Sequence, residues 1–487
     1  MSDELHWLDA TALSHKLRTR QISAIELLEH LISRVEMLNP RLNALVVQDF
    51  ERARIRARAA DIALMRGEVW GPLHGVPMTV KETLDVVGLP TTAGAPVLRN
   101  NVAVRNATAV QRLFEAGAVI FGKTNVPLWA ADFETDNEIY GMTHNAWDQN
   151  CLSGGSSGGS AVGLAAGLTP LELGSDIGGS IRNPSHYNNT FGHRPTWGIV
   201  SGLGHVPGPP GSLVIDDLGT VGPMARSPRD LRMELNVIAG TDPVFGAWYR
   251  APLPEQRSLT LRDLRVALWL DDPVVPVDRT VLDVLWGAVA KLEQAGLVHA
   301  VQDKPDYDAR QAFALYNRLL WGVIGGSLDE QAREALRAIR TGAGDADWSQ
   351  RTHNARGATA THAEWLRDDQ SRQELRVKWA QFFQHYDVLI APIMCTAAHA
   401  HDASDFPNRI IMVNGRAQRA EEQLFWASHA TLCYLPATSC PAGFTQQGLP
   451  VGMQIIAPYL QDYRAIAVAT AFSEVLEAHL RHPPIAC

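Results

Sequence analysis

Apolar residues near the start of the chain recur at intervals of three and four positions. This spacing places them on one face of an α-helix, which we predict over residues 23–38. Ser23 followed three positions later by Glu26 is a capping-box signature, and Pro40 is predicted to end the helix. We expect this helix to pack against a core and assign it no catalytic role. Its apolar face consists of Ile25, Leu28, Leu31, Ile32, Val35 and Leu38.

From about residue 72 the pattern changes to short apolar runs separated by Gly and Pro. Runs of this length predict buried strands. The predicted strands are residues 76–80, 118–121 and 171–173, and the predicted helices near them are residues 107–116 and 161–166. Strands that alternate with helices favour a sheet covered by helices.

The second half repeats this alternation. A strand at 266–270, a helix at 278–295 and a strand at 297–301 predict a βαβ passage, and residues 305–382 read as mostly helical. Late core strands are predicted at 388–391 and 451–456. No low-complexity segment separates these parts. The pattern therefore predicts an α/β fold, with a sheet covered by helices, in a single domain over residues 1–487.

Composition and charge narrow the class of protein. Apolar residues make up 46% of the chain, charged residues 20%, and the formal net charge is −9. A negative charge argues against nucleic acid or a membrane surface as partner. The segment MSDELHWLDA lacks the apolar run of a signal peptide, and the five cysteines are scattered without a C-x-x-C. We therefore expect a cytoplasmic protein with reduced thiols.

Three local motifs suggest other functions. Residues 117–124, GAVIFGKT, match the P-loop pattern, but their apolar centre predicts a strand where that motif needs a loop. His399, His401 and Asp402 lack a second ligand group with metal-site spacing, so we interpret them as a loop and predict no metal or cofactor. Residues 154–158, GGSSG, match the G-x-S-x-G elbow of Ser-His-Asp hydrolases, although a polar stretch precedes them where a strand is needed.

One interpretation accounts for three Gly-rich segments together. They are GVPMTVKE at 75–82, SGGSSGGSA at 153–161 and GSDIGGSIRNP at 174–184. With these motifs the chain resembles the amidase signature family, whose hydrolases use a Ser-Ser-Lys triad. The resemblance continues in GHRPTWG, YDVLIAP, LPATSCPAGF and GLPVGMQIIAP. It implies a large twisted mixed β-sheet core surrounded by α-helices. It also implies a signature core at 70–235, a more variable helical part at 250–400 that shapes the substrate pocket, and a return to the core at 401–487.

The resemblance assigns the catalytic roles to three residues. It implies that Ser180 is the nucleophile, that Ser156, which lies 24 residues earlier, relays a proton, and that Lys81 is the base. The chemistry is consistent with this assignment, because a serine hydroxyl needs a base and neither serine motif contains a histidine. A lysine can act as that base near neutral pH only if its pKa falls by about 3 units, and burial shifts it in that direction.

The resemblance also implies the supporting groups. The backbone N–H groups of Ile177, Gly178, Gly179 and Ser180 are expected to stabilise the oxyanion. A cis peptide bond is expected between Gly155 and Ser156, and Ser157 is expected to hydrogen-bond Lys81. Asp176 and Arg182 are expected to support the site, the latter through a charged hydrogen bond.

The substrate is less well determined. Ala130, Ala131, Asp132, Asn137 and Trp321 are candidate pocket residues, and the expected substrate is a small amide, anilide, carbamate (urethane) or ester. The alternatives are an A-type subunit of a glutamyl-tRNA amidotransferase, which needs partner chains, and a Ser-His-Asp esterase that uses Ser156. The segment 187–189 departs from the amidotransferase pattern, so a stand-alone amidase is favoured. A homodimer is expected by analogy to relatives.

Overall fold

The computed structural model describes residues 5–206, 211–214, 216–240, 253–255, 259–344 and 346–486. Cys487 lies outside these residues. The strands run in chain order as β1 Leu45–Gln48, β2 Pro77–Lys81, β3 Val119–Thr124, β4 Leu171–Asp176, β5 Phe191–Arg194, β6 Thr220–Ala225, β7 Arg265–Leu268, β8 His299–Gln302, β9 Val388–Pro392, β10 Ile410–Val413, β11 Arg416–Arg419, β12 Ala437–Phe444 and β13 Pro450–Ile456.

The α-helices are α1 Ala10–Arg18, α2 Ala24–Leu42, α3 Phe50–Met65, α4 Thr108–Glu115, α5 Gly158–Ala165, α6 Arg182–Asn188, α7 Pro228–Ile238, α8 Arg279–Gln294, α9 Ala309–Gly325, α10 Glu330–Gly342, α11 Gln350–Ala358, α12 His362–Phe382, α13 Leu424–Leu432 and α14 Asp462–Leu476. None of the helices in the described residues is long and apolar enough to cross a membrane.

A single sheet of 11 strands forms the core, in the order β1-β3-β2-β4-β6-β5-β12-β13-β9-β7-β8. It is mixed, because β2 runs parallel to β3 and β4, whereas β12 and β13 are antiparallel. The predicted α/β class and the large mixed sheet surrounded by helices are thus confirmed. The predicted βαβ passage is present too, with β7 parallel to β8 and α8 between them in the chain.

The first predicted helix is present but longer than expected. Ser23 and Glu26 form the capping box at the start of α2, as predicted. The helix does not end at Pro40, which lies inside its last turn. The chain turns instead at Asn43, which adopts left-handed backbone angles, and the Asn39 carboxamide accepts hydrogen bonds from the following backbone N–H groups. A proline near a helix end removes a single N–H, which the final turn tolerates here.

The sheet brings two strand ends to the same edge. Lys81 is the last residue of β2 and Asp176 is the last residue of β4, and the two strands are parallel neighbours. Helix α6 follows β4 after a short turn. The carboxyl ends of parallel strands in open α/β sheets commonly line binding crevices. The three Gly-rich motifs therefore meet at this edge.

Candidate active site

Lys81 is fully buried at the end of a strand in which every residue is buried. Its Nζ atom donates hydrogen bonds to Ser156 Oγ at 2.7 Å and to Ser175 Oγ at 2.8 Å. Burial lowers the pKa of Lys81 to about 7, against the opposing influence of the Asp176 and Glu172 carboxylates. A substantial fraction of this lysine is therefore neutral near pH 7, which gives it the lone pair that a base requires.

Ser156 lies on a loop held against the start of α6. The Gly155–Ser156 peptide bond is cis, as the resemblance implied. The Gly155 N–H donates to Asn183 Oδ1 at 2.9 Å, and Asn183 Nδ2 donates to the Gly155 carbonyl. A Cβ atom on Gly155 would lie 2.3 Å from the Asp132 carbonyl oxygen, so this position requires glycine. These glycines serve close backbone approach, and the loop is not a flexible linker.

Ser180 occupies the turn between β4 and α6, and it is 7% exposed. The Ser157 N–H donates to the Ser180 carbonyl oxygen at 3.1 Å, which ties the two serine segments together. Within the described residues no hydrogen bond joins the Ser156 and Ser180 hydroxyl groups. Catalytic hydrogen bonds are often long in ligand-free sites and shorten when substrate binds. The structure thus brings Lys81, Ser156 and the Ser180 segment to one place.

The turn before Ser180 presents backbone N–H groups. Those of Ile177, Gly178 and Ser180 donate to no group in the described part of the chain. The fourth predicted donor differs, because the Gly179 N–H donates to Asp176 Oδ1 at 3.0 Å. Gly179 has a φ of 95°, in the left-handed region that favours glycine. The Gly179 N–H is therefore directed to the Asp176 carboxylate.

Asp176 and Arg182 form a fully buried ion pair at 2.8 Å. Burial acts to raise the pKa of Asp176, but the Arg182 and Arg194 charges outweigh it and lower the pKa to about 2. Arg182 also donates to the Ala427 carbonyl, to Gln454 Oε1 and to Thr431 Oγ1. The expected charged hydrogen bond of Arg182 is present, and it connects the turn to α13 and β13.

The partners of Lys81 differ in part from those expected. Ser157 does not bond Lys81, because its hydroxyl donates to the Ser175 carbonyl at 3.4 Å. The Ser175 hydroxyl takes the expected place, and it also lies 2.8 Å from His205 Nε2. Sequence reasoning missed both residues. Ser175 stands inside a Gly-rich motif without a feature that marks this contact, and His205 lies 30 positions further on with no spacing that signals it.

Two of the predicted pocket residues are occupied by protein partners. Asp132 pairs with Arg409 at 2.7 Å. The Asn137 side chain donates to Asn125 Oδ1 and to the Val126 carbonyl, and its Oδ1 atom accepts from the backbone of Ile139 and Tyr140. These polar groups are satisfied within the fold, so the structure gives no support to their predicted role in binding a substrate amide.

The other pocket candidates are more accessible. Ala130 is half-buried and Ala131 is exposed, on a short turn with the exposed side chains of Leu128 and Trp129. Trp321 is half-buried on α9 and packs against the main core. Helix α9 also reaches the turn before Ser180, because the Tyr316 hydroxyl donates to the Ile177 carbonyl at 3.0 Å. Part of the region 250–400 thus contacts the candidate site.

The competing motifs have structural explanations. Residues Val119–Thr124 form strand β3, and Lys123 donates to Thr91 Oγ1 at 2.9 Å, so the P-loop match is a strand. His401 contacts Glu134 Oε1 at 2.6 Å. The described residues contain no group of three or more His, Cys, Asp or Glu side chains that could hold a metal ion. In the same part of the chain, no histidine hydrogen-bonds the hydroxyl of Ser156 or of Ser180.

Comparison with known proteins places the chain in a family. The Amidase family model matches residues 26–466. This match spans most of the sequence, so the chain belongs to the amidase family and is an amidase signature hydrolase. The resemblance carried by the three Gly-rich motifs is thereby confirmed.

Curated relatives include two kinds of protein. An acylamidase of Rhodococcus erythropolis is 32% identical over 495 residues, which cover 97% of this chain and 96% of that protein. The A-type subunit of the glutamyl-tRNA(Gln) amidotransferase of Chloroflexus aggregans is 32% identical over 519 residues, with 99% of both chains covered. Sequence identity alone does not separate the two activities.

Solved structures of amide hydrolases share the fold. A bacterial aryl acylamidase of the amidase signature family is 26% identical with a TM-score of 0.78, covering 97% of this chain and 96% of that one. A 6-aminohexanoate cyclic dimer hydrolase in complex with substrate is 26% identical with a TM-score of 0.80, covering 99% of this chain and 100% of the other.

Proposed function

We propose that this protein is a stand-alone amidohydrolase that cleaves the C–N bond of small amides through an acyl-enzyme on Ser180. The observation that carries the proposal is the buried Lys81 amine 2.7 Å from the Ser156 hydroxyl, beside the Ser180 turn. Burying a lysine is unfavourable unless it has a partner or a function. Here the cost of burial yields a neutral amine that can accept a proton.

Acylation begins with proton transfer away from Ser180. Neutral Lys81 takes the proton of the Ser156 hydroxyl, and Ser156 takes the proton of Ser180. The Ser180 oxygen then attacks the carbonyl carbon of the substrate, and the carbonyl π electrons move to its oxygen. The lysine leaves this step as an ammonium group, and the negative charge resides on the tetrahedral oxyanion. Ser156 gives one proton and receives another, so it remains a hydroxyl, and the net transfer is from Ser180 to Lys81.

The oxyanion turn stabilises that charge. We propose the N–H groups of Ile177, Gly178 and Ser180 as its donors, since they have no protein partner in the described part of the chain. The Gly179 N–H stays with Asp176 and fixes the shape of the turn. Loss of a single oxyanion donor in other hydrolases lowers the rate by about 10²- to 10³-fold.

Collapse of the intermediate releases the amine. The proton returns from Lys81 through Ser156 to the leaving nitrogen, the C–N bond breaks and an acyl ester remains on Ser180. A water molecule then repeats the sequence, giving its proton to the same relay and attacking the ester carbonyl. The acid leaves, and Ser180 regains its hydrogen. The protein, the substrate and water together account for every bond and proton in these two steps.

The proposed substrate class is based on the turn that precedes Asp132, whose carbonyl lies against Gly155. Ala130 and Ala131 are small residues on this turn, and the neighbouring Leu128 and Trp129 side chains are 46% and 38% exposed. An apolar rim of this kind favours an acyl group or an aromatic amine with apolar surface. We propose anilides, linear amides and carbamates as substrates, with esters as a side activity.

The test compares a chromogenic anilide, a carbamate and an ester of one acyl group. Wild type, Lys81→Ala, Lys81→Arg and Ser180→Ala are assayed together, with circular dichroism to establish folding. We expect all three variants to lose turnover while remaining folded. Arginine fails because its guanidinium cannot lose a proton in this range. Activity retained in Lys81→Ala would overturn the assignment and favour the Ser-His-Asp esterase.

The amidotransferase alternative rests on relatives of equal identity. An amidotransferase subunit is expected to release ammonia from glutamine only with its partner chains, and to turn over none of the three substrates alone. Turnover of the anilide or the carbamate by the isolated chain, without turnover of glutamine, decides for the stand-alone enzyme.

The proposal also covers the cellular compartment and the oligomeric state of the protein. Cys151, Cys395, Cys433 and Cys440 are buried and unpaired, which supports a reducing compartment and hence the cytoplasm. A homodimer is proposed by analogy to relatives, and the molecular mass in solution, measured by light scattering, tests it.

A further inference from the structure

Besides its contact with Ser156, Lys81 begins a second series of hydrogen bonds. Lys81 Nζ donates to Ser175 Oγ at 2.8 Å, and Ser175 Oγ lies 2.8 Å from His205 Nε2. The mechanism above uses neither Ser175 nor His205. The imidazole therefore connects to the proposed base through one hydroxyl group and touches no reacting atom.

The backbone around His205 is fixed to the segment that follows Lys81. The Asp85 N–H donates to the Gly204 carbonyl at 2.8 Å, and the Val206 N–H donates to the Thr83 carbonyl at 2.8 Å. Gly204 has a φ of 82°, and a Cβ atom there would lie 2.5 Å from the Ala107 Cα. These contacts hold the histidine in register with the end of β2, so its distance to Ser175 is set by the fold.

The direction of the Lys81–Ser175 hydrogen bond matters because a neutral amine has only one lone pair. Lys81 can accept the Ser156 proton only if that lone pair points to Ser156. The Ser175 hydroxyl can either accept an N–H from Lys81 or donate its own hydrogen to the same lone pair. In the second arrangement Ser175 competes with Ser156 for the base.

If His205 accepts the Ser175 hydrogen, Ser175 no longer competes with Ser156 for the Lys81 lone pair. Burial and the Lys81 charge lower the pKa of His205 to about 3, so the ring is neutral near pH 7. A neutral imidazole whose proton is on Nδ1 offers Nε2 as an acceptor. Ser175 then donates to His205 and presents a lone pair to Lys81. One N–H of neutral Lys81 then donates to Ser175. The Ser156 hydroxyl donates to the Lys81 lone pair, which reverses the direction that this 2.7 Å contact has when Lys81 is an ammonium group.

We propose that His205 is a positioning residue that fixes the direction of the Ser175 hydrogen bond and so keeps the Lys81 lone pair on Ser156. The inference rests on the proposed function, since it concerns how the proposed base is oriented. It assigns the Nδ1–H tautomer to His205. It also predicts an effect on the chemical step and none on substrate binding.

The test is a double-mutant cycle on kcat and KM with the chromogenic anilide. The variants are His205→Leu, His205→Gln, Ser175→Ala and His205→Leu/Ser175→Ala. We expect His205→Leu to lower kcat by about 10- to 100-fold with KM unchanged, by analogy to residues that hydrogen-bond and orient metal ligands. Gln carries an acceptor oxygen near the position of Nε2, so His205→Gln is expected to recover most of the loss. The double variant is expected to match Ser175→Ala.

His144→Leu is the matched control, because His144 is also half-buried but bonds the Gln149 carbonyl outside the site. Thermal melting of each variant establishes folding, and the Ser175→Ala and His205→Gln variants keep the test usable if His205→Leu does not fold. Independent, multiplicative losses in the double variant would overturn the proposal, as would a loss confined to KM or an unchanged kcat in His205→Leu. Turnover that persists in Ser180→Ala would instead overturn the proposed function.

Discussion

The Lys81 amine and the Ser156 hydroxyl lie 2.7 Å apart in the interior of the protein. The lysine reaches this position because β2 is buried along its whole length and ends at the same sheet edge as β4. The sheet therefore sets the environment of Lys81, and the loop that carries Ser156 packs against it. The pKa of the proposed base and the identity of its partner thus depend on different parts of the fold, so separate substitutions can alter each.

The activity of the wild-type enzyme is expected to rise with pH through about 7. Burial lowers the pKa of Lys81 to about 7, and only the neutral amine is a base. Below that pKa the neutral fraction, and with it kcat/KM, is expected to increase about tenfold per pH unit, and above it to level off. The measurement is kcat/KM of the anilide from pH 5 to 9. A flat profile over this range would contradict a lysine base.

Glu172→Gln is expected to move that rise to lower pH. Glu172 is fully buried, Thr79 donates a hydrogen bond to it, and its negative charge raises the pKa of Lys81. Burial raises the pKa of Glu172 itself to about 7, so it is partly ionised when Lys81 titrates. Removing the charge should lower the pKa of Lys81 by up to about 1 unit.

The pH profile of kcat/KM measures this shift. Glu421→Gln, which alters a buried carboxyl paired with Arg419, serves as the control and is expected to leave the profile unchanged. A shift to higher pH in Glu172→Gln would be incompatible with Glu172 acting on Lys81.

Glu234→Gln is expected to stabilise the protein at alkaline pH. Glu234 is fully buried on α7, and neither carboxyl oxygen has a hydrogen-bond partner in the described residues. Burial, together with the charges of Glu172 and Asp230, raises its pKa well above the ordinary value. The folded state thus holds the proton more tightly than the unfolded state, so stability is lost as pH rises from about 4.3 toward the folded-state pKa.

Glutamine removes this titration. The gain in unfolding free energy is expected to be near zero at pH 4 and to grow as the pH rises to 8. Urea denaturation at the two pH values measures it. An equal change in unfolding free energy at pH 4 and pH 8 would contradict this prediction, because it would mean that Glu234 does not titrate between these pH values.

Asp176→Asn is expected to destabilise the fold strongly. The substitution removes one partner of a pair whose side chains are both 0% exposed, and it leaves the Arg182 charge buried. Breaking such a pair costs about 3 to 5 kcal/mol. Asp368→Asn is the control, because its pair with Arg318 is partly exposed and is worth about 0 to 1 kcal/mol. Similar losses in the two variants, measured in urea, would contradict the special role of the buried pair.

The sequence predicted the parts of the site that lie in short motifs. Lys81 ends an apolar run, and the Gly/Ser segments carry residue types that close backbone approach requires, so their meeting point could be inferred through a family resemblance. The α/β class followed from periodicity, and the large mixed sheet followed from the family resemblance. The position where α2 ends could not be predicted from periodicity. It depends on the Asn39 side chain and the left-handed Asn43, which provide the hydrogen bonds and the turn that end the helix after Pro40.

Contacts between distant segments could not be predicted in this way. His205 reaches Ser175 across 30 positions, and Asp132 pairs with Arg409 across 277 positions. Whether a polar residue faces a substrate or another part of the chain depends on such pairings. For this reason the sequence predicted that Asp132 and Asn137 bind substrate, whereas in the structure their polar atoms pair with other residues of the protein.

That difference gives a last prediction about the pocket. Asn137→Ala is expected to lower the melting temperature with little change in KM, because its amide bonds Asn125 and Val126 in a buried setting. Loss of buried hydrogen bonds of this kind costs about 1 to 3 kcal/mol. Ala131→Leu is the complementary variant. Since Ala131 is exposed on the turn beside the catalytic loop, a larger side chain there should change KM and spare stability. Thermal melts and anilide kinetics on both variants measure the contrast. A raised KM with unchanged melting in Asn137→Ala would return that residue to the substrate pocket.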